Sequence, residues 1–203
     1  MLPLPCLSAP CTHHTRRLAA RASCRGALSD YDQALAVTAS AGLLPDPYVL
    51  NDRGNVLASL GLWREARQAY LESSEGFQRA KGFFDSTGYT STQRQDGAVL
   101  AASNAALMLA QMGDVPGAVA EMERVVRRAP GSVDMRAALA ALLWSQGRGE
   151  AAEASWEFAC DRITAGCGFY EDLDSDWLRR VRRWPPRMIE YLSDFLAIRG
   201  ARS

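Results

Sequence analysis

The chain has 203 residues, 48% of them apolar and 23% charged, an ordinary composition for one folded domain. Its 23 basic and 23 acidic residues cancel, so it carries no global signature of a nucleic-acid binder. No apolar stretch approaches the roughly 18–20 residues that span a bilayer, so no transmembrane segment is expected.

Ala and Leu are abundant and runs of Val, Ile or Thr are scarce, which favours helix. Residues 1–26 contain Arg16, Arg17, Arg21 and Arg25 but no Asp or Glu. Pro3, Pro5, Pro10, His13 and His14 break the continuous apolar core that a secretory signal needs. An acid-poor leader with Arg and Ser fits a disordered organelle transit peptide. Its prolines favour a plastid, in the stroma or at the thylakoid, with a mitochondrion as the alternative.

Residues 27–46 read as the second half of a helical pair, with Tyr31 and Ala34 on it. Residues 47–80 then place Gly54, Leu57, Gly61, Ala66 and Tyr70 at offsets that return twice further on. Residues 81–98 are rich in Gly, Ser and Thr and carry Phe83, Phe84 and Tyr89, an aromatic loop inserted in the array. Residues 99–132 and 133–166 abut as two segments of equal length. Ala106 answers Ala140, Leu109 answers Leu143, Gly113 answers Gly147, Ala118 answers Ala152 and Met122 answers Trp156. Beyond 166 the pattern changes to a short helix near 174–183, Pro185–Pro186, and a last helix near 186–198. That helix has a stripe of Met188, Ile189, Leu192, Phe195, Leu196 and Ile198.

A period of 34 residues with these residue types resembles the tetratricopeptide repeat (TPR). The small residue at the eighth place lets two helices approach. The glycine at the fifteenth relieves the turn, the alanine at the twentieth packs into a groove, and a large residue at the twenty-fourth fills the space between repeats. The chain looks like a plastid-targeted TPR protein of plants or algae. The resemblance implies an all-α fold, an antiparallel helix-pair solenoid over 27–166. Residues 167–203 form capping helices that cover its last apolar face.

Residues for catalysis are lacking. The only histidines, His13 and His14, fall in the leader, so the rest lacks the usual general base and commonest metal ligand. There is no phosphate loop and no zinc spacing. No enzyme activity, cofactor or metal is expected. Cys160 and Cys167 on one continuous helix would hold their sulfurs about 10 Å apart, so they read as free buried thiols. They could meet only if the chain turned near Gly166, and the alternative reading is then a redox-sensitive pair in a plastid.

In TPR proteins the first helix of each pair lines a groove for a protein or peptide. The resemblance carries that role to Tyr48, Asn51, Asp52, Asn55, Ser103, Asn104, Asp134, Ala137, Ala138, Ala141 and Trp144. Asn55 and Asn104 match the two asparagines of the family's clamp for chaperone C-terminal carboxylates. The clamp's basic places hold Asn51, Asp134 and Ala138, so a carboxylate has little to attract it. The expected function is a non-catalytic scaffold that binds a protein or peptide partner and assists assembly of a plastid photosynthetic complex. The alternative is a factor that docks on RNA or, peripherally, on an anionic membrane through Arg179, Arg180, Arg182, Arg183 and Arg187. Asp172, Asp174 and Asp176 just upstream weaken that patch.

Overall fold

The computed structural model describes residues 14–79 and 91–200, helices joined by short turns with no strand among the described residues. The helices are α1 (His14–Ser40), α2 (Pro47–Ser59), α3 (Trp63–Arg79), α4 (Ser91–Met112), α5 (Val115–Arg128), α6 (Val133–Ser145) and α7 (Gly149–Glu157). A π-helical turn, Phe158–Arg162, leads to α8 (Gly168–Glu171), α9 (Ser175–Arg180) and α10 (Pro186–Gly200). The chain divides into two compact units, Met1–Ala105 and Ala106–Ser203.

In the first unit, α2 starts where Asp46 accepts the N–H of Tyr48 at 2.8 Å and Pro47 takes the first helical position. The buried face of α3 is Ala66, Ala69, Tyr70, Ser73, Ser74 and Phe77, spaced for one side of a helix. It packs on α2 so closely that a Cβ at Gly54 would lie 2.6 Å from the Tyr70 ring. The hydroxyls of Ser73 and Ser74 donate to the carbonyls of Pro47 (2.7 Å) and Ala98 (3.1 Å), so these two buried polar groups are satisfied. Helix α1 packs on α2 and is tied to it by the Arg53–Asp32 ion pair at 2.7 Å. It runs unbroken through residue 26, where the composition suggested that a disordered leader ends, and Cys24 on it is buried.

Part of the stretch read as an inserted loop is helix, because α4 already begins at Ser91. Gly97 on this helix is a contact point, where a Cβ would sit 2.5 Å from the Phe77 ring, which also meets Tyr48 edge-on at 4.7 Å. Phe83, Phe84 and Tyr89 lie outside the described residues.

In the second unit, Asp114 and Ser132 cap α5 and α6. Helix α5 buries one face: Ala118, Val119, Met122, Val125 and Val126. Helix α6 is buried from Asp134 to Leu143 except at Arg136, as expected of a segment apolar on nearly every side. It packs against α5, α7 and α10. From α10, Phe195 reaches Trp156 (5.3 Å) and Trp144 (6.0 Å).

Helices α2, α4 and α6 end in the same way. Gly61, Gly113 and Gly147 take left-handed φ values of +81°, +89° and +73°. Each glycine N–H donates to the carbonyl three residues back, on Ala58, Ala110 or Trp144. The following N–H, on Leu62, Asp114 or Arg148, reaches back five residues to Leu57, Leu109 or Leu143. These two bonds satisfy carbonyls that the helix end would otherwise leave open. Just beyond, Ala66, Ala118 and Ala152 are fully buried, as are Tyr70, Met122 and Trp156 to within 1%.

The two late cysteines are not free thiols: Cys160 and Cys167 form a disulfide, with Cα atoms 4.7 Å apart. The continuous helix assumed for them does not exist. The chain loosens into the π-helical turn at Phe158–Arg162 and then reverses at Gly166, where φ is +63°.

Gly54→Ala should lower the unfolding free energy by about 1–3 kcal/mol, because overpacking against Tyr70 outweighs the helix propensity gained. Urea unfolding measures this, and a variant as stable as the parent would contradict the α2–α3 packing.

Candidate functional site

The proposed groove residues of the first unit lie on α2 and α4. Asn51 and Asn55, one turn apart on α2, are buried, as are Ser103 and Asn104 on α4. Tyr70 donates its hydroxyl to Asn55 Oδ1 at 2.9 Å, and Asn55 Nδ2 donates to Asp52 Oδ1 at 3.0 Å. Asn104 Nδ2 donates to Asn51 Oδ1 at 3.3 Å, joining α4 to α2. Ser103 turns back on its own helix and donates to the Val99 carbonyl. Asp52 is exposed and Tyr48 half-buried. The cluster is therefore neutral and amide-rich at its centre, with one carboxylate at its edge.

In the second unit the central feature is Asp134, in the first turn of α6 and 8% exposed. Its Oδ1 accepts from Tyr170 Oη (2.8 Å), Arg182 Nε (2.8 Å) and Trp184 Nε1 (2.9 Å), and its Oδ2 meets the Arg182 guanidinium at 2.6 Å. The forked contact with Arg182 suits the planar guanidinium. Burial by itself would lower the Arg182 pKa, but the hydrogen bond and charge of Asp134 outweigh it and hold the group above its ordinary value. Burial, then the charge of Asp134, push the Tyr170 phenol above its usual pKa of 10. The native phenol thus keeps its proton more tightly than the unfolded chain does. Its stabilising effect is complete below about pH 10 and is lost as pH rises beyond it.

The contacts to Asp134 also hold a strained backbone. Leu173 (φ +46°) and Arg183 (φ +58°) are left-handed non-glycine residues on either side of α9. Each costs on the order of 1–2 kcal/mol, and such residues persist where their surroundings fix them. The hydrogen bonds from Tyr170, Arg182 and Trp184 supply that restraint.

The five arginines proposed as a basic patch are placed differently from one another. Arg182 is engaged with Asp134, and Arg180 pairs with Asp176 one turn earlier. The Arg187 backbone N–H donates to Gln111 Oε1 at 2.9 Å, and its guanidinium lies beside Gly113. Arg179 is exposed and Arg183 half-buried. Trp144 lines an open cavity of about 550 Å³ with Gly147, Gly149, Glu150, Glu153, Ala154 and Glu157. Among the described residues, no group of three His, Cys, Asp or Glu side chains is arranged to hold a metal ion.

Tyr170 and Trp184 are parts of this arrangement that sequence reasoning missed. A local signal existed for the acid, since Asp134 opens a helix of Ala, Leu and Met with little polar surface. Nothing in one sequence pairs it with donors some 36 to 50 residues later.

No model of a known protein family matches the chain, and no curated protein is significantly similar to it.

Asp134→Asn should destabilise the second unit by about 2–4 kcal/mol, the range for breaking a buried pair, reduced for the partial exposure of Arg182. It should also bring ionisation of Tyr170 to lower pH. Denaturant unfolding and ultraviolet titration of the tyrosines read the two effects. A stability change below about 0.5 kcal/mol, the usual scatter of surface substitutions, would contradict the assignment.

Proposed function

We propose that this protein is a non-catalytic scaffold of the tetratricopeptide type that holds an extended segment of a partner protein on the asparagine-bearing face of α2 and α4. The recurring turn at Gly61, Gly113 and Gly147, with the buried alanines and large residues that follow it, supports the kinship. The binding mode rests on one observation, the Asn51–Asn104 carboxamide pair that joins α2 to α4, 7% and 9% exposed. A carboxamide offers a donor pair and an acceptor in the geometry of a peptide group. Two of them side by side match the backbone of an extended chain, and they select it by shape and backbone rather than by charge. A partner's carboxylate terminus is not the expected ligand, because Asn51 stands where the related clamp carries a cation.

The proposed setting is a plastid, on the acid-free, Arg-bearing composition of residues 1–26, and the TPR resemblance suggests assembly of a photosynthetic complex.

Crosslinking with mass spectrometry in native extract identifies the partner, and its binding to purified variants tests the site. Asn51→Ala and Asn104→Ala should each weaken capture at least tenfold while circular dichroism and thermal unfolding show a folded protein. Undiminished capture by both folded variants would contradict this reading.

A further inference from the structure

We propose that the Cys160–Cys167 disulfide is a redox latch that holds α8, and with it Tyr170, against Asp134. Helix α8 is short. It is a single turn of four residues, Gly168–Glu171. One turn has no stability of its own, since nucleating a helix fixes several residues for a single hydrogen bond. Its position must therefore come from its ends.

At the first end, Cys167 precedes the helix, and its carbonyl accepts the N–H groups of Tyr170 (2.8 Å) and Glu171 (3.0 Å). The disulfide fixes Cys167 to Cys160 in the middle of the π-helical turn. From within the turn, Tyr170 reaches Asp134 on α6. Between the cysteines, Asp161, Arg162, Thr164 and Ala165 are exposed, and Leu173 beyond the helix is left-handed. Without the covalent tie, the segment from 163 to 173 keeps chiefly the stack of Phe169 on Trp177 (5.0 Å) and the ring contacts and single side-chain hydrogen bond of Tyr170, against a strained backbone. The parts on either side are held independently: Trp156 and Ala159 before it, and Leu178, Trp184, Met188, Leu192 and Phe195 after it, are buried.

The two sulfurs differ in access. Cys167 is 5% exposed, whereas Cys160 is half-buried. A thiolate of a dithiol reductant attacks Cys160 Sγ, the Cys160–Cys167 bond breaks, and Cys167 leaves as a thiolate that takes up a proton. The second thiol of the reductant, losing its proton, then attacks its own bound sulfur and expels Cys160 as a thiolate, which is protonated. The protein gains two electrons and two protons, and the dithiol becomes a cyclic disulfide. Reduction frees α8, withdraws Tyr170 from Asp134 and opens that side of the carboxylate to water. Arg182 and Trp184 remain on it.

Hydrogen–deuterium exchange of the full chain, oxidised and then reduced with dithiothreitol, tests the latch, with intact mass following the gain of two hydrogens. Reduction should accelerate exchange of residues 168–173 at least tenfold, leave Met188–Phe195 unchanged, and reverse on reoxidation. The double variant Cys160→Ser, Cys167→Ser should show the fast exchange without reductant. Three results would overturn the proposal. These are an absence of the disulfide in the purified protein, equal exchange of 168–173 in both states, and an acceleration spread evenly over α6, α7 and α10.

Discussion

The constraint on which both units are built is the way α2, α4 and α6 end. A helix that stops leaves carbonyls without partners, and here two backbone hydrogen bonds satisfy them only if one residue turns left-handed. Glycine adopts that conformation without a steric penalty, and glycine stands there at 61, 113 and 147. The chain then reverses within two or three residues, so the following helix starts beside the one that has ended. Close packing becomes possible only where side chains are small, which is why Ala66, Ala118 and Ala152 are wholly buried and why Gly54 lies under the ring of Tyr70.

Asp134 imposes the second constraint, inside one unit. A carboxylate in a helix otherwise buried in alanine and leucine is unfavourable unless its charge and lone pairs are met. They are met by a phenol, an indole and a guanidinium that all come from the segment after residue 166. The same bonds hold two left-handed residues around α9. One acid, together with the disulfide at Cys167, thus fixes the course of a segment composed of short helices that would not be stable alone. This changes the meaning of the arginine-rich stretch 177–187. Arg182 pairs with Asp134, Arg180 pairs with Asp176, and the stretch reads as structural wiring more than as an open cationic surface.

What could be read from the sequence was whatever is local or periodic. The helical character, the turns at Gly61, Gly113 and Gly147, and the buried offsets around them follow from spacing, because each depends on residues a few positions away. The start of α4 was illegible because Gly97 has the composition of a loop and the position of a contact: only the Phe77 ring facing it explains the glycine. The disulfide was legible only as a condition, a turn near Gly166, which the structure has; the π-helical turn before it has no periodic signature. For the candidate site, the asparagines were identifiable as residue types. Their joining of α2 to α4, and the joining of Asp134 to Tyr170 and Trp184, are contacts over long stretches of chain that one sequence does not encode visibly.

The central claim is that the repeat in the sequence is a repeat in physical structure, one left-handed turn used three times. The direct measurement is the unfolding free energy of Gly61→Ala, Gly113→Ala and Gly147→Ala beside Gly131→Ala, an exposed glycine with open space around its Cβ position and no left-handed φ. Each of the three should lose about 1–2 kcal/mol, the cost of a left-handed conformation for a residue with a Cβ, and the control should lose less. If any of the three matched Gly131→Ala, the turn at that position would not be the shared device described here.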